Sequence, residues 1–296
     1  MNGFFPIDLH MHSSYSDDGQ FTPSELAQLC IDAGLSIIAI TDHNTVKGSR
    51  EFFDIKAVIE GNDRRLVCYP AIEVDCTYRN VNLHVLGYEI DLTRPDFDEI
   101  EQNIRKQTVH ASYERLRLIK KLGFDLAETD LNRITSGTQW VESWTGEVFA
   151  EALLHDERYL DSEILRPYRV GGARSDNPYV NFYWDYCGPG KHCYVEMTYP
   201  DLRDVLEILH KSGGKAVLAH PGQSLKEDLG FIDALVPLGL DGIEVYSSYH
   251  PPELSQLLLN KANEHGLMVT RGSDFHGKTK PSVKLGYCGI DMCGEG

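Results

Sequence analysis

Two short stretches near opposite ends of the chain carry side chains suited to holding a divalent metal. The first is Asp8-Leu9-His10-Met11-His12-Ser13-Ser14-Tyr15-Ser16-Asp17. It follows Phe4-Phe5-Pro6-Ile7, an apolar run that reads as a short buried strand. Residues two apart on a strand share a face, so Asp8, His10 and His12 would point the same way. Imidazoles beside carboxylates form a donor set for a transition metal. The second stretch is Asp274-Phe275-His276. Between them stand His43 in Thr41-Asp42-His43-Asn44, then Glu73, His84, and His220 in Ala219-His220-Pro221-Gly222.

Most of these positions fall just after a predicted strand. Leu35 to Ile40 precedes His43, Leu66 to Ile72 precedes Glu73, and Lys215 to Ala219 precedes His220. Leu267 to Thr270 leads to Asp274. Leu83 to Tyr88 carries His84 itself, after a turn at Tyr78 to Asn82 that suggests a hairpin. Further strands are expected at Cys193 to Met197 and Asp241 to Tyr246. Helices alternate with them. Thr22-Pro23-Ser24-Glu25 is a capping box that opens one, and Gly34 closes it. Others are predicted at about 48–60, 97–122, 147–154, 201–211, 228–235 and 252–265. About seven β/α units in all favour a closed barrel, in which strand ends converge on one face. His110, His155, His192, His210 and His265 lack strand-end placement and read as ordinary surface or core histidines.

The alternation is interrupted from residue 95 to 192. This block is helical and charged at first, then rich in Gly, Pro, Asn and Tyr. It reads as an inserted subdomain lying over the strand ends, where long insertions carry substrate contacts. The chain thus divides into a first barrel part (1–94), the insertion (95–192) and a second barrel part (193–296).

Composition narrows the function classes. The 296 residues include 42% hydrophobic side chains, enough for a large globular core. A net charge of −17 argues against non-specific binding along a nucleic acid polymer. An anionic small molecule stays admissible, because bound cations reverse the field within a cleft. The seven cysteines contain no C-x-x-C pair and read as isolated buried thiols, which suits a cytoplasmic protein. No signal peptide or membrane-spanning run is expected, nor any nucleotide-fold glycine motif.

Taken together, His10-x-His12, Ser16-Asp17-Asp18-Gly19, Thr41-Asp42-His43-Asn44, Glu73, His84, Ala219-His220-Pro221-Gly222 and Gly272-Ser273-Asp274-Phe275-His276-Gly277 resemble the PHP (polymerase and histidinol phosphatase) family, allied to the amidohydrolases. The resemblance implies a distorted (β/α)7 barrel holding two or three divalent metals. It implies one metal on His10, His12, Glu73 and Asp274, and a second on Glu73, His84 and His220, bridged by Glu73. A third would sit on Asp17, His43 and His276. Asp17 stands where some relatives have a histidine, and Asp18 beside it leaves two carboxylates at that point of the motif. Mn, Fe and Zn all suit such donors. Metals a few Å apart share a water, lower its pKa, and so supply a hydroxide for in-line attack on phosphorus. Asp8 and Asp42 are expected to orient imidazoles rather than bind metal.

The expected activity is hydrolysis of a small phosphorylated metabolite: a nucleotide, a nucleoside bisphosphate, or a sugar or cyclic phosphate. Arg174, in Gly171-Gly172-Ala173-Arg174, and Lys191, in a Gly-Pro-Gly-Lys stretch that resembles small-phosphoester members, are candidate phosphate anchors. Each also fits an ordinary surface cation. Ser248 and His250 follow a strand and are candidate substrate contacts. His220 and His250 are the catalytic candidates, with His250 placed to protonate a leaving alkoxide or to be a solvated loop residue. Histidinol phosphate is an alternative substrate. A non-catalytic or polymerase-associated module is the rival of another class, and a metal-sequestering protein a more distant one.

Overall fold

The computed structural model describes residues 7–59, 66–226 and 228–289. The apolar run at 4–6 and Cys293 lie outside them. Among the described residues, eight strands and ten α-helices form two sheets with helices packed against them. The first sheet is parallel: β1 (Ile7–Met11), β2 (Ile37–Ile40) and β3 (Val67–Tyr69), joined by α1 (Pro23–Asp32) and α2 (Lys47–Ile59). Thr22 and Glu25 form the expected reciprocal cap on α1. The expected strand at 66–72 is broken at Pro70, which has no N–H to donate to a ladder. Its first half stays in the first sheet. Its second half starts β4 (Ala71–Tyr78) in the other sheet.

The second sheet continues with β5 (Val81–Tyr88), antiparallel to β4 through a tight hairpin at Arg79 and Asn80. An insertion follows, with α3 (Pro95–Lys121), α4 (Glu128–Thr135), α5 (Gly146–His155), α6 (Pro178–Phe182) and a π-helical turn at Tyr183–Cys187. It buries an apolar cluster of its own around Leu116, Ile119, Trp144, Phe149, Leu165 and Phe182. Then come α7 (Leu202–Lys211), β6 (Lys215–Leu218), α8 (Pro221–Ser224), α9 (Phe231–Leu235), β7 (Gly242–Ser247), α10 (Pro252–His265) and β8 (Met268–Gly272). β6 is antiparallel to β5, whereas β6, β7 and β8 run parallel.

Two sequence expectations need correction. The strands do not all run one way, because β5 opposes both neighbours. The sheets also do not close into a ring by continuous ladders. They meet at isolated bridges, Met11 with Phe275 and His43 with Glu73, just past the strand ends that carry the polar residues. A third correction concerns Cys193 to Met197, which forms no strand. Residues just after it reach β4 only at one bridge, Thr77 with Asp201. β5 and β6 already pair with each other, so the segment is not inserted between them.

Close approach of β8 to β1 depends on Gly272. A Cβ there would lie 2.1 Å from the His10 Cβ and 2.7 Å from Glu244 Oε1. Asp8 fastens the same junction: its carboxylate accepts from the Ser273 amide and hydroxyl and from the Gly286 and His10 amides.

Candidate metal centre

Glu73 is fully buried, and its two oxygens face different partners. Oε2 lies 3.0 Å from His10 Nε2, 3.1 Å from His12 Nε2 and 3.3 Å from His43 Nδ1. Oε1 lies 2.9 Å from His84 Nδ1 and 3.2 Å from His220 Nε2. Asp274 Oδ1 comes within 3.3 Å of His10 and 3.1 Å of His12. These distances define two donor groups sharing Glu73: His10, His12, Glu73 and Asp274, and Glu73, His84 and His220. These are the residues that the PHP resemblance groups as the first two ligand sets.

The third group differs. It holds His12, His43 and His276 with Asp18, not Asp17. Asp18 Oδ2 lies 3.1 Å from His276 Nε2. Asp17 lines the adjoining cavity instead, and burial together with the Asp18 charge pushes its carboxyl up to about 7. The chain turns at 16–19, where the Ser16 amide bonds to the Ser13 carbonyl and the Gly19 amide to the Ser16 carbonyl, and this turn presents Asp18 to His276. A fourth grouping, His43, Asp75 and His84, was missed by the sequence reading. Its signal was available: Asp75 is two residues after Glu73 on β4 and shares its face. Asp75 also pairs across the hairpin with His84, which is how an antiparallel strand delivers that imidazole.

A metal fits this arrangement on a direct observation. His12 Nε2, Asp18 Oδ1, His43 Nδ1, Asp75 Oδ1, His220 Nδ1, His276 Nε2 and Asp274 Oδ1 are all buried without a hydrogen-bond partner. Unpaired buried polar atoms cost free energy, and here they crowd one place. Electrostatics agree. Burial opposes the charged form of Glu73, yet His10, His43 and His84 hold its carboxyl well below the usual range. Burial and the charge of His276 and His43 push His12 down to about 4, which leaves a neutral donor.

Supporting side chains fix the donors. Glu244 lies mid-strand on β7, 3.0 Å from His10 Nδ1, and accepts from the His220 amide. A carboxylate within the apolar run Gly242-Ile243-Glu244-Val245 was the signal for it. Asp42 reaches His12 only indirectly: it accepts from Ser16 Oγ, which lies 2.9 Å from His12 Nδ1. Asp8 touches no imidazole in these bonds, so the orienting role expected of it falls to Glu244. Asp274 Oδ2 accepts from the Tyr249 hydroxyl at 2.5 Å and from Lys280 Nζ at 2.6 Å.

The cluster opens into a cavity of about 270 Å³ whose other walls come largely from the insertion and from Tyr194 to Tyr199 after it. Gln139 and Trp140 of the insertion both donate to the Tyr15 carbonyl, in the loop that carries Asp18. The expected substrate contacts lie elsewhere. Arg174 makes a two-pronged pair with Asp185 at 3.1 Å per prong and does not line the cavity. Lys191 is exposed on the surface and does not line it either. His250 is buried, with Nδ1 2.9 Å from the Val245 carbonyl and Nε2 accepting from the Gly222 amide. Both ring nitrogens are occupied, burial lowers its pKa and it does not line the cavity, so the fold presents it as a packed imidazole rather than one facing the site. Ser248 is half-buried, while its neighbour Tyr249 faces the cavity. His155, His210 and His265 make surface contacts, as their placement suggested.

Residues 8–165, more than half of the chain, match the PHP domain. The chain belongs to the PHP family. It is 27% identical over 285 residues to a protein of Escherichia coli named 5'-3' exoribonuclease Rnm, covering 94% of this chain and 87% of that one. It is 27% identical over 288 residues to a 3',5'-nucleoside bisphosphate phosphatase of Chromobacterium violaceum, covering 95% and 90%. A solved structure from Bifidobacterium adolescentis, described as a metal-dependent phosphoesterase, superposes with a TM-score of 0.78 at 25% identity, covering 97% of this chain and 92% of that one. The hydrolase class read from the sequence, acting on phosphoric esters, accords with the names of these PHP proteins. No helix among the described residues is long and apolar enough to cross a membrane.

Proposed function

We propose that this PHP protein hydrolyses the phosphoester of a small phosphorylated metabolite with two or three divalent ions, Mn, Fe or Zn. The nucleoside bisphosphates and cyclic phosphates are its leading substrate classes. His10, His12, Glu73 and Asp274 would hold one ion, Glu73, His84 and His220 a second, and His12, Asp18, His43 and His276 a third. The observation that carries this reading is Glu73, whose two oxygens face two separate donor groups. Bound ions supply Lewis acidity toward a phosphoryl oxygen and a water acidified toward neutral pH. The chain's own contribution is to keep His12 neutral, to hold Asp274 through Tyr249 and Lys280, and to wall the site from bulk water with the insertion.

The complete donor set favours an enzyme over a non-catalytic or polymerase-associated module. The two sheets are read as a distorted barrel interrupted by the inserted unit 95–192. Among the described residues, Cys30, Cys76, Cys187, Cys193 and Cys288 are buried and in no disulfide, which suits a reducing, cytoplasmic setting. The test is turnover of p-nitrophenyl phosphate by Mn-loaded protein, then a panel of nucleoside bisphosphates, cyclic phosphates and histidinol phosphate. Failure on the whole panel with metal bound would overturn the reading. A second reading, removal of nucleotides from an RNA 5' end, rests on the E. coli relative. A 5'-phosphorylated oligoribonucleotide in the panel decides it.

A further inference from the structure

Arg115 on α3 lines the cavity beside the donor cluster and is 6% exposed. Its Nη1 donates to the Trp144 carbonyl at 2.9 Å, while its buried Nε–H has no partner. No carboxylate of the described residues forms an ion pair with it. Glu147 shares the cavity, where burial raises its carboxyl and the Arg115 charge partly offsets that, but the two do not pair. An unpaired guanidinium in a buried wall is costly unless an anion completes it. Arg174 has no such need, because Asp185 already neutralises it. The wall around Arg115 is aromatic, with Tyr183, Tyr199 and the half-exposed Trp184. Flat apolar faces of this kind accept a planar organic body.

We infer that Arg115 binds a second phosphate of the substrate, remote from the one hydrolysed, with the organic body held against Tyr183, Trp184 and Tyr199. The inference rests on the phosphoesterase reading and adds the residue that selects a doubly phosphorylated substrate.

Arg115→Gln and Arg115→Lys are compared with the unaltered protein, all Mn-loaded, on a nucleoside 3',5'-bisphosphate and on p-nitrophenyl phosphate. Arg115→Gln should lose about 10- to 150-fold in kcat/KM on the bisphosphate, mainly through KM, the size of a charge-assisted phosphate contact. Turnover of the aryl phosphate and metal content should stay within about 3-fold. Arg115→Lys, which keeps the charge but not the fork, should fall between and serves if the Gln variant melts early. Equal losses on both substrates, or none on either, would overturn the assignment. Calorimetric binding of a nucleoside 5'-monophosphate gives a readout independent of turnover. If the unaltered protein hydrolyses neither substrate, the phosphoesterase reading fails, yet weaker binding by Arg115→Gln still supports Arg115. Unchanged binding refutes it.

Discussion

Glu73 is surrounded by five imidazoles, and its buried carboxylate charge faces all of them. Glu73→Gln keeps the shape and removes the charge that two donor groups share. It should lower bound metal by at least one equivalent and kcat/KM by more than about 100-fold, beyond the usual cost of an outer-shell change. Elemental analysis with steady-state kinetics checks this, and near-normal metal content would refute the bridging role. The adjacent aspartates give a sharper contrast. Asp18→Asn should reduce metal stoichiometry, whereas Asp17→Asn should leave it unchanged, since only Asp18 faces His276. Equal metal loss in both variants would mean that the loop rearranges when loaded. Sequence spacing offered two carboxylates at this point with no means of choosing. The choice is made by the turn at Ser16–Gly19, where the Ser16 and Gly19 backbones bond back to the loop.

At the level of elements, the junction of β1 with β8 brings His10 and Asp274 together across the length of the chain. Gly272 permits it, so Gly272→Ala must push β8 off His10. Overpacking of this kind costs about 1–3 kcal/mol. The melting temperature should fall by several degrees and metal affinity should drop with it. Calorimetric melting with and without metal tests the coupling, and a normal melt with normal affinity would show that the junction tolerates a methyl. Strands with strong local signals were legible: the Thr22 and Glu25 cap, the hairpin before His84, and the helix and strand alternation after residue 200 were all readable. The Cys193 to Met197 segment misled because its apolar alternation fits a strand, while strand formation needs a free edge that only the assembled sheet can offer.

Across the whole molecule, gathering Glu73, Asp274, Asp18, Asp75 and the histidines in a buried place costs free energy that bound cations would offset. Chelation should therefore destabilise the protein as well as silence it. A metal at 100 times its dissociation constant adds about 2.7 kcal/mol to folding. Removing metal should lower the melting temperature by several degrees, and Mn should restore it. A melt indifferent to chelator would show that the fold tolerates the unpaired cluster unaided. The insertion takes part in this economy at a distance, since Gln139 and Trp140 hold the loop that presents Asp18.

Residue types and strand periodicity alone determined which side chains could gather: His10, His12, His43, Glu73, His84, His220, Asp274 and His276 needed no tertiary information, because ligand chemistry and strand-end placement are local properties. Whether a cation serves a substrate is not local. Arg174 and Lys191 lay in motifs that invite phosphate, yet Asp185 takes the first and the second stays on the outer surface. Arg115 carried no motif at all, and its place in the cavity follows from how α3 packs beneath Trp144. His250 was well placed along the chain but is held by Val245 and Gly222. Tertiary structure sets these placements because a charge or an imidazole is free to act only when the fold leaves it without a partner.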